Sequence, residues 1–243
     1  GVKMKIVNRI IRKIKYGYKS DSKAFIKYLS NKGVNIANNV HMYGTNQIYI
    51  DTQYPFLITI ESGVTIAPDV RIITHDFSWG TIKSNFDYVC GASGEVIIGE
   101  NSFIGSGVII LRNSHIGKNC IIGAGSLVSG NIPDNSVAVG RPAKRIMSIT
   151  EYYEKRLELQ FEEALNLFKS YYNKYNICPG RDVFREYFYL YTNDVDDLTP
   201  IELRLLGGIN NKSIPFFTKH KPMFSSFEAF IDECKLVINN EKQ

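Results

Sequence analysis

The sequence predicts a mainly β protein: a parallel β-helix of six-residue repeats, with a helical segment before it and a helical region after it. Three observations carry this. Ile98, Ile104, Ile110, Ile116, Ile122 and Val128 recur every six residues without a slip. Four residues after each comes a small or β-branched residue (Ser102, Val108, Ser114, Cys120, Ser126, Ile132), and glycine directly follows four of the six as Gly99, Gly105, Gly117 and Gly123. The hexads then stop, and residues 150–243 hold 17 of the 29 Phe and Tyr, enough apolar surface for a small helical domain or a cover on the β-helix. A period of six is neither the 3.6 of an amphipathic helix nor the alternation of a half-buried strand. It suits three short strands per triangular coil, with the aliphatic residue of each hexad pointing inward.

The expected organisation is a helical segment over 1–32, a β-helix over 33–147 and a helical region over 148–243. In the first segment Val2, Ile6, Ile10 and Ile14 are spaced by four, and Ala24, Tyr28 and Leu29 continue an apolar face. Seven basic residues, Lys3 to Lys19, precede the first acid, Asp21. Such a segment can lie on an anionic membrane surface, or dock on its own β-helix with a solvated basic face. Gly33 ends it. Ile36 and Met42 begin the six-period, two irregular steps lead to Ile50 and Ile60, and Ile60, Ile66 and Ile72 then run on step. The 26 residues from Ile72 to Ile98 are not a multiple of six, so residues 74–95 form an excursion, and a long excursion from a regular solenoid is usually functional.

After Ile132 the repeat decays through Pro133-Asp134 and Gly140-Arg141-Pro142-Ala143-Lys144-Arg145-Ile146. Ser148 and Glu151 form a capping box ahead of a helix whose face is Leu157, Phe161, Leu165, Phe168 and Tyr172. Pro179-Gly180 breaks it. Asp182 caps a second expected helix through Tyr191, Thr199-Pro200-Ile201-Glu202 starts a third that Gly207 stops, and Ser225 and Glu228 start a fourth to about Val237.

The composition, 44% hydrophobic and 22% charged, is globular, and no run of about 18 apolar residues suggests a spanning helix. The basic start lacks the apolar stretch of a signal peptide. Cys90, Cys120, Cys178 and Cys234 lack metal-site spacing, and Cys120 takes an inward position, so a reduced, cytoplasmic protein is expected, touching the inner face of the membrane at most through its basic segment. The net charge of +5 suits an anionic small ligand and does not argue for nucleic acid.

Isoleucines inside a prism do no chemistry, so function must lie on its outside and in the excursion. His75 opens the excursion at the junction of a stiff coil with a long loop, and imidazole can take a proton from an alcohol or amine near neutrality. The adjacent Asp76 points away from it on an extended chain and does not orient it. His41 and His115 each precede an inward residue and face outward, and His220, between Lys219 and Lys221, reads as solvated. Trp79 and Phe86 are a sugar platform or the anchors of the loop.

The hexads, the Ile-Thr-His-Asp stretch at Ile73–Asp76, the coil Phe103-Ile104-Gly105-Ser106 and the terminator Gly140–Ile146 resemble the hexapeptide acyltransferase superfamily over residues 34–146. Within it the chain is similar to the maltose and galactoside O-acetyltransferases, the xenobiotic acetyltransferases and the O-acetyltransferases of capsule and lipopolysaccharide synthesis. The resemblance implies a left-handed β-helix, against the usual right-handed crossover. It implies a homotrimer with acetyl-CoA in the groove between neighbours, no metal, and His75 as the base of a direct transfer without an acyl-enzyme. Ser106 and Ala124 match positions along the pantetheine arm, Ser129 a threonine at the CoA site, and Lys144 a basic residue near the CoA phosphates, which Arg141 and Arg145 supplement. Gly130 stands where a lysine is expected. Asn46 aligns near a residue that binds the acceptor sugar, with Trp79 as a second acceptor contact. The helical region after residue 147 departs from the compact sugar acetyltransferases.

The function so implied is acetyl transfer to a sugar hydroxyl of a bacterial surface polysaccharide or its precursor. The alternatives are an N-acetyltransferase for an amino sugar, free or nucleotide-linked, and a non-catalytic trimeric scaffold. A third, a zinc enzyme of the γ-carbonic anhydrase kind, needs three histidines across an interface, and His75 lacks a histidine partner at short spacing.

Overall fold

The computed structural model describes residues 2–207 and 213–241, with the side chains of residues 2–6, 8, 9 and 241 outside the description. The starts and ends of the expected segments at residues 1, 242 and 243 therefore lie outside the described residues, as do the side chains of Val2, Ile6 and the basic residues up to Arg9. The chain forms two compact units, Gly1–Tyr153 and Glu154–Gln243.

The first unit is a prism with three parallel sheets as faces. The first face holds Asn35–Ile36, Ile58–Ile60, Val96–Ile98, Ser114–Ile116 and Asn131–Ile132. The second holds His41–Met42, Thr65–Ile66, Phe103–Ile104, Ile121–Ile122 and Ser136–Gly140. The third holds Tyr49–Ile50, Arg71–Ile72, Ile109–Ile110 and Leu127–Val128. Partners in register include Val96 with Ser114 and Phe103 with Ile121, so one regular coil is three hexads. The earlier pairing of Asn35 with Thr59 spans a longer coil, which accounts for the two irregular steps.

Ile98, Ile104, Ile110, Ile116, Ile122 and Val128 are fully buried and stack along the axis. The small inward positions have satisfied polar groups: Ser102 Oγ donates to the Gly117 carbonyl (2.8 Å), Ser114 to Val128 (3.2 Å) and Ser126 to Gly123 (2.7 Å). Glycine follows the inward isoleucine because the next coil lies against it. A Cβ on Gly99 would stand 2.6 Å from the carbonyl carbon of Gly117. At one corner Asn101, Asn119 and Asn135 adopt left-handed backbone, which asparagine tolerates, and donate amide to amide in a ladder (3.5 and 3.0 Å).

The segment before the prism is two helices, not one: α1 (Val2–Tyr16) and α2 (Ser22–Lys32). Gly17, at φ 54°, and a short 3₁₀ turn separate them. Asp21 caps α2 by accepting from the Ala24 N–H (2.9 Å), and Gly33 closes it in the left-handed region. Phe25, Ile26 and Leu29 of α2 are buried in the prism core. At the other end, Ala143–Ser148 folds back antiparallel on Ser136–Gly140.

Within residues 74–95 lies a helix absent from the sequence reading, α3 (Trp79–Phe86). The helix α4 (Ile149–Tyr175) leads into the second unit, where α4, α5 (Pro200–Leu206), α6 (Ile214–Phe217) and α7 (Phe227–Glu241) surround an aromatic core of Phe168, Phe184, Phe188, Phe217 and Phe230. α5 starts and stops where expected, and Thr199 and Glu202 close a capping box at its start. The expected helix from Asp182 to Tyr191 is instead two 3₁₀ turns, Arg181–Phe184 and Phe188–Leu190. The break lets Phe184, Phe188, Leu190 and Tyr191 all reach the core, more than one stripe of an α-helix presents.

Because the Gly99 contact is backbone on backbone, Gly99→Ala should destabilise the protein by about 1–3 kcal/mol, the usual cost of overpacking. A urea midpoint lowered at unchanged slope is the measurement; an unchanged midpoint would show that the coils can move apart.

Candidate active site

The strand Arg71–Ile72 delivers the chain to the corner between the third and first faces, where residues 74–95 leave the prism. The base of this excursion is closed. Gly94 N–H donates to the Thr74 carbonyl (2.9 Å), Asp76 N–H to Ala92 (3.2 Å), and His75 pairs antiparallel with Ser93. His75 is therefore held by backbone on both sides.

One coil earlier Tyr49–Ile50 reaches the same corner, and its register, Ile50 beside Ile72, sets Asp51 beside the start of the excursion. Asp51 Oδ2 lies 2.5 Å from His75 Nδ1 and accepts from Thr74 Oγ (2.6 Å) and Thr74 N–H (3.2 Å), while Oδ1 accepts from Gln53 N–H (3.0 Å). The His75 and Asp51 side chains are 11% and 3% exposed. Burial alone would push the Asp51 carboxyl up. The donors on Thr74, Gln53 and His75 outweigh it and hold the group below its ordinary value. An ionised carboxylate only accepts, so Nδ1 carries the hydrogen, and in the neutral imidazole Nε2 presents its lone pair. Nε2 is buried and has no hydrogen-bond partner. Tyr54 and Phe77 meet the ring edge-on at 5.5 and 5.0 Å between centroids. A neutral imidazole so fixed can accept a proton from a substrate placed against it.

His75, Asp76, Leu111, Arg112, Ser129 and Gly130 line a cavity of about 410 Å³ at this corner. Asp76 turns from the ring, as expected. Its Oδ2 accepts from Arg112 Nε (3.2 Å) and its Oδ1 from Ser78, so it ties the excursion to the next coil. Of the residues singled out in the sequence, Ser129 shares the cavity with His75. Ser106 and Ala124 lie exposed at a different corner, between the second and third faces, where the Gly125 N–H donates to the Ser106 carbonyl (2.8 Å). Arg141, Lys144 and Arg145 are exposed on the hairpin that ends the prism. Asn46 is exposed in the turn before Tyr49. Trp79, half-buried, opens α3 and meets Phe77 at 6.5 Å. His220 is not solvated: its ring nitrogens face the carbonyls of Phe217 and Tyr189 and staple the second unit. Among the described residues no group of three His, Cys, Asp or Glu side chains could hold a metal ion.

Asp51 escaped the sequence reading. Its signal was there, since it follows an inward isoleucine one coil before His75, but the irregular step from Met42 to Ile50 hid the register.

The family model for the bacterial transferase hexapeptide (six repeats) matches residues 95–130. The chain is 35% identical over 155 residues to Protein CapG of Staphylococcus aureus, covering 59% of this chain and 88% of that protein. It is 36% identical over 137 residues to galactoside O-acetyltransferase of Lactococcus lactis, covering 52% and 63%. A solved galactoside acetyltransferase in complex with coenzyme A is 24% identical, with a TM-score of 0.41, over 60% of this chain and 83% of that one. The chain spans less than two thirds of the length of several curated relatives, from 44% to 63%.

A carboxyl held below its ordinary value stabilises the fold above about pH 4 and loses that contribution as pH falls through the folded-state value. The gap in unfolding midpoint between the protein and Asp51→Asn should therefore be full above about pH 4 and shrink below it. A gap independent of pH would mean that the Asp51 charge is not what stabilises this corner.

Proposed function

Because the chain belongs to the hexapeptide-repeat acyltransferase superfamily, we propose that it is an acetyl-CoA-dependent O-acetyltransferase acting on a sugar hydroxyl of a bacterial surface polysaccharide or its precursor. The observation that carries this is the His75–Asp51 pair, with a partnerless Nε2 in a ring that lines a cavity. A sugar hydroxyl needs a base at neutral pH, and Asp51 fixes the tautomer that makes Nε2 one.

In this reading Nε2 takes the hydroxyl proton as the sugar oxygen attacks the thioester carbonyl carbon. The carbonyl π electrons move onto oxygen, and backbone N–H groups near the groove stabilise that oxyanion. The oxyanion collapses, the C–S bond breaks, and the proton on Nε2 passes to the leaving thiolate. Asp51 offsets the imidazolium charge between these steps. Ser129 stands beside the reacting centre. Ser106 and Ala124 follow the pantetheine arm, and Lys144, Arg141 and Arg145 meet the phosphates, for which exposed cations at a chain turn are suited. Trp79 and the rest of the excursion wall the acceptor side, with Asn46 as a further acceptor contact. In a single chain, His75 and the Ser106–Ala124 column occupy different corners of the prism. The groove thus belongs between chains, in a closed homotrimer whose unlike faces meet. The donor is a cytoplasmic metabolite, which puts the reaction on that side of the membrane.

His75→Ala should lower kcat by roughly 10²–10⁴, the scale of general-base catalysis, with little change in acetyl-CoA binding. Full activity in this variant would sink the mechanism. Light scattering should report a trimer at micromolar protein, and an active monomer would refute the shared groove. Lys144→Ala should raise KM for acetyl-CoA several-fold to tenfold, as for the loss of about 1 kcal/mol from an exposed charge-assisted contact. The penalty should shrink with a pantetheine thioester that lacks the nucleotide. An equal penalty with both donors would assign Lys144 to the turn alone.

A further inference from the structure

Helix α1 carries a surface that acetyl transfer does not use. At about 100° per residue, Val7, Ile10, Ile11 and Ile14 fall on one side, and Arg12, Lys13 and Lys15 fall on the other. The described part of the apolar side is not spent on the prism. Val7, Ile10, Ile11 and Ile14 are 52, 52, 53 and 82% exposed, whereas Phe25, Ile26 and Leu29 of α2 are buried. Where α1 turns into α2, Arg12, Lys23, His41, Tyr43 and Ser22 help to line an open cavity of about 710 Å³. Its one carboxylate, Asp21, is engaged by the Ala24 N–H at the start of α2.

We propose that α1 lies in the surface of an anionic lipid bilayer, with its isoleucines among the acyl chains, its lysines and arginines at the headgroups, and a lipid phosphate in the cavity at its end. Charge complementarity selects this occupant. Seven basic residues precede the first acid, so a second copy packed through α1 would bring like charge to like charge, whereas anionic headgroups neutralise it. Among the described residues no helix is long and apolar enough to cross a membrane, so the contact is along the surface and not through it. The inference stands on α1 and not on the acetyl-transfer reading. If both hold, the active site works beside a membrane, where a lipid-linked sugar would be its acceptor.

The test is flotation of the full chain with vesicles of phosphatidylcholine alone or with about 30% phosphatidylglycerol. Binding to the anionic vesicles should be at least about tenfold tighter and should weaken in about 0.5 M salt. The triple variant Ile10→Ser, Ile11→Ser, Ile14→Ser should lose at least about tenfold in binding at unchanged thermal midpoint and unchanged mass by light scattering. A charge variant, Lys13→Gln with Lys15→Gln, leaves the apolar side intact and should lose the preference for anionic lipid. Equal binding to both vesicles, or none, overturns the proposal. So does a triple variant that binds vesicles normally while its oligomeric mass falls, which would assign the face to a second copy. Vesicle binding needs no turnover, so its failure would leave the acetyl-transfer reading standing.

Discussion

The structure depends on register between successive coils. An inward isoleucine can stay dry only if the isoleucine three hexads on lies directly against it, and that fixes the register that sets Val96 beside Ser114 and Phe103 beside Ile121. The other constraints follow from it. Coils in contact leave no room for a Cβ at Gly99, and they turn three asparagines at one corner into a ladder of amides. The same register assembles the candidate site. Asp51 and His75 come from different coils, yet pairing Ile50 with Ile72 sets their side chains at one corner.

Legibility in the sequence followed the strength of that constraint. Six unbroken hexads have one physical solution, so the prism, its inward residues and the break at residues 74–95 could be read directly. His75 was legible because it stands where the repeat fails. Asp51 was not, because the coil that carries it is longer than three hexads. The second unit was less legible still. Its elements are set by which aromatic rings can share one core, and ring packing has no period along the chain. Residues 181–191 therefore form two short turns in place of the expected helix, and the ring of His220 is spent on two carbonyls.

Glu202 shows how far the second unit departs from the first in its use of polar groups. The prism buries hydroxyls that find carbonyls in their own coil or the next one. Glu202, fully buried, closes the capping box on α5, accepts from Arg181 Nε (3.0 Å) and from Tyr191 Oη (3.1 Å), and so joins three segments through one carboxylate. Its burial is tolerable because these donors replace water. The cation beside it is held strongly protonated by Glu202 and Asp197 in spite of burial.

A stack of identical coils has no intrinsic length. Each terminal coil offers the hydrogen-bonding edge that seeds the next, and an uncovered edge of this kind polymerises. Here α2 seals the core at one end, and at the other the antiparallel return of Ala143–Ser148 occupies the last strand of the second face with a chain running in the opposite direction. A reversed strand cannot propagate a parallel coil. The hairpin that carries Arg141, Lys144 and Arg145 is thus also a growth stop, and the number of coils is written at the end of the prism and not in its repeats.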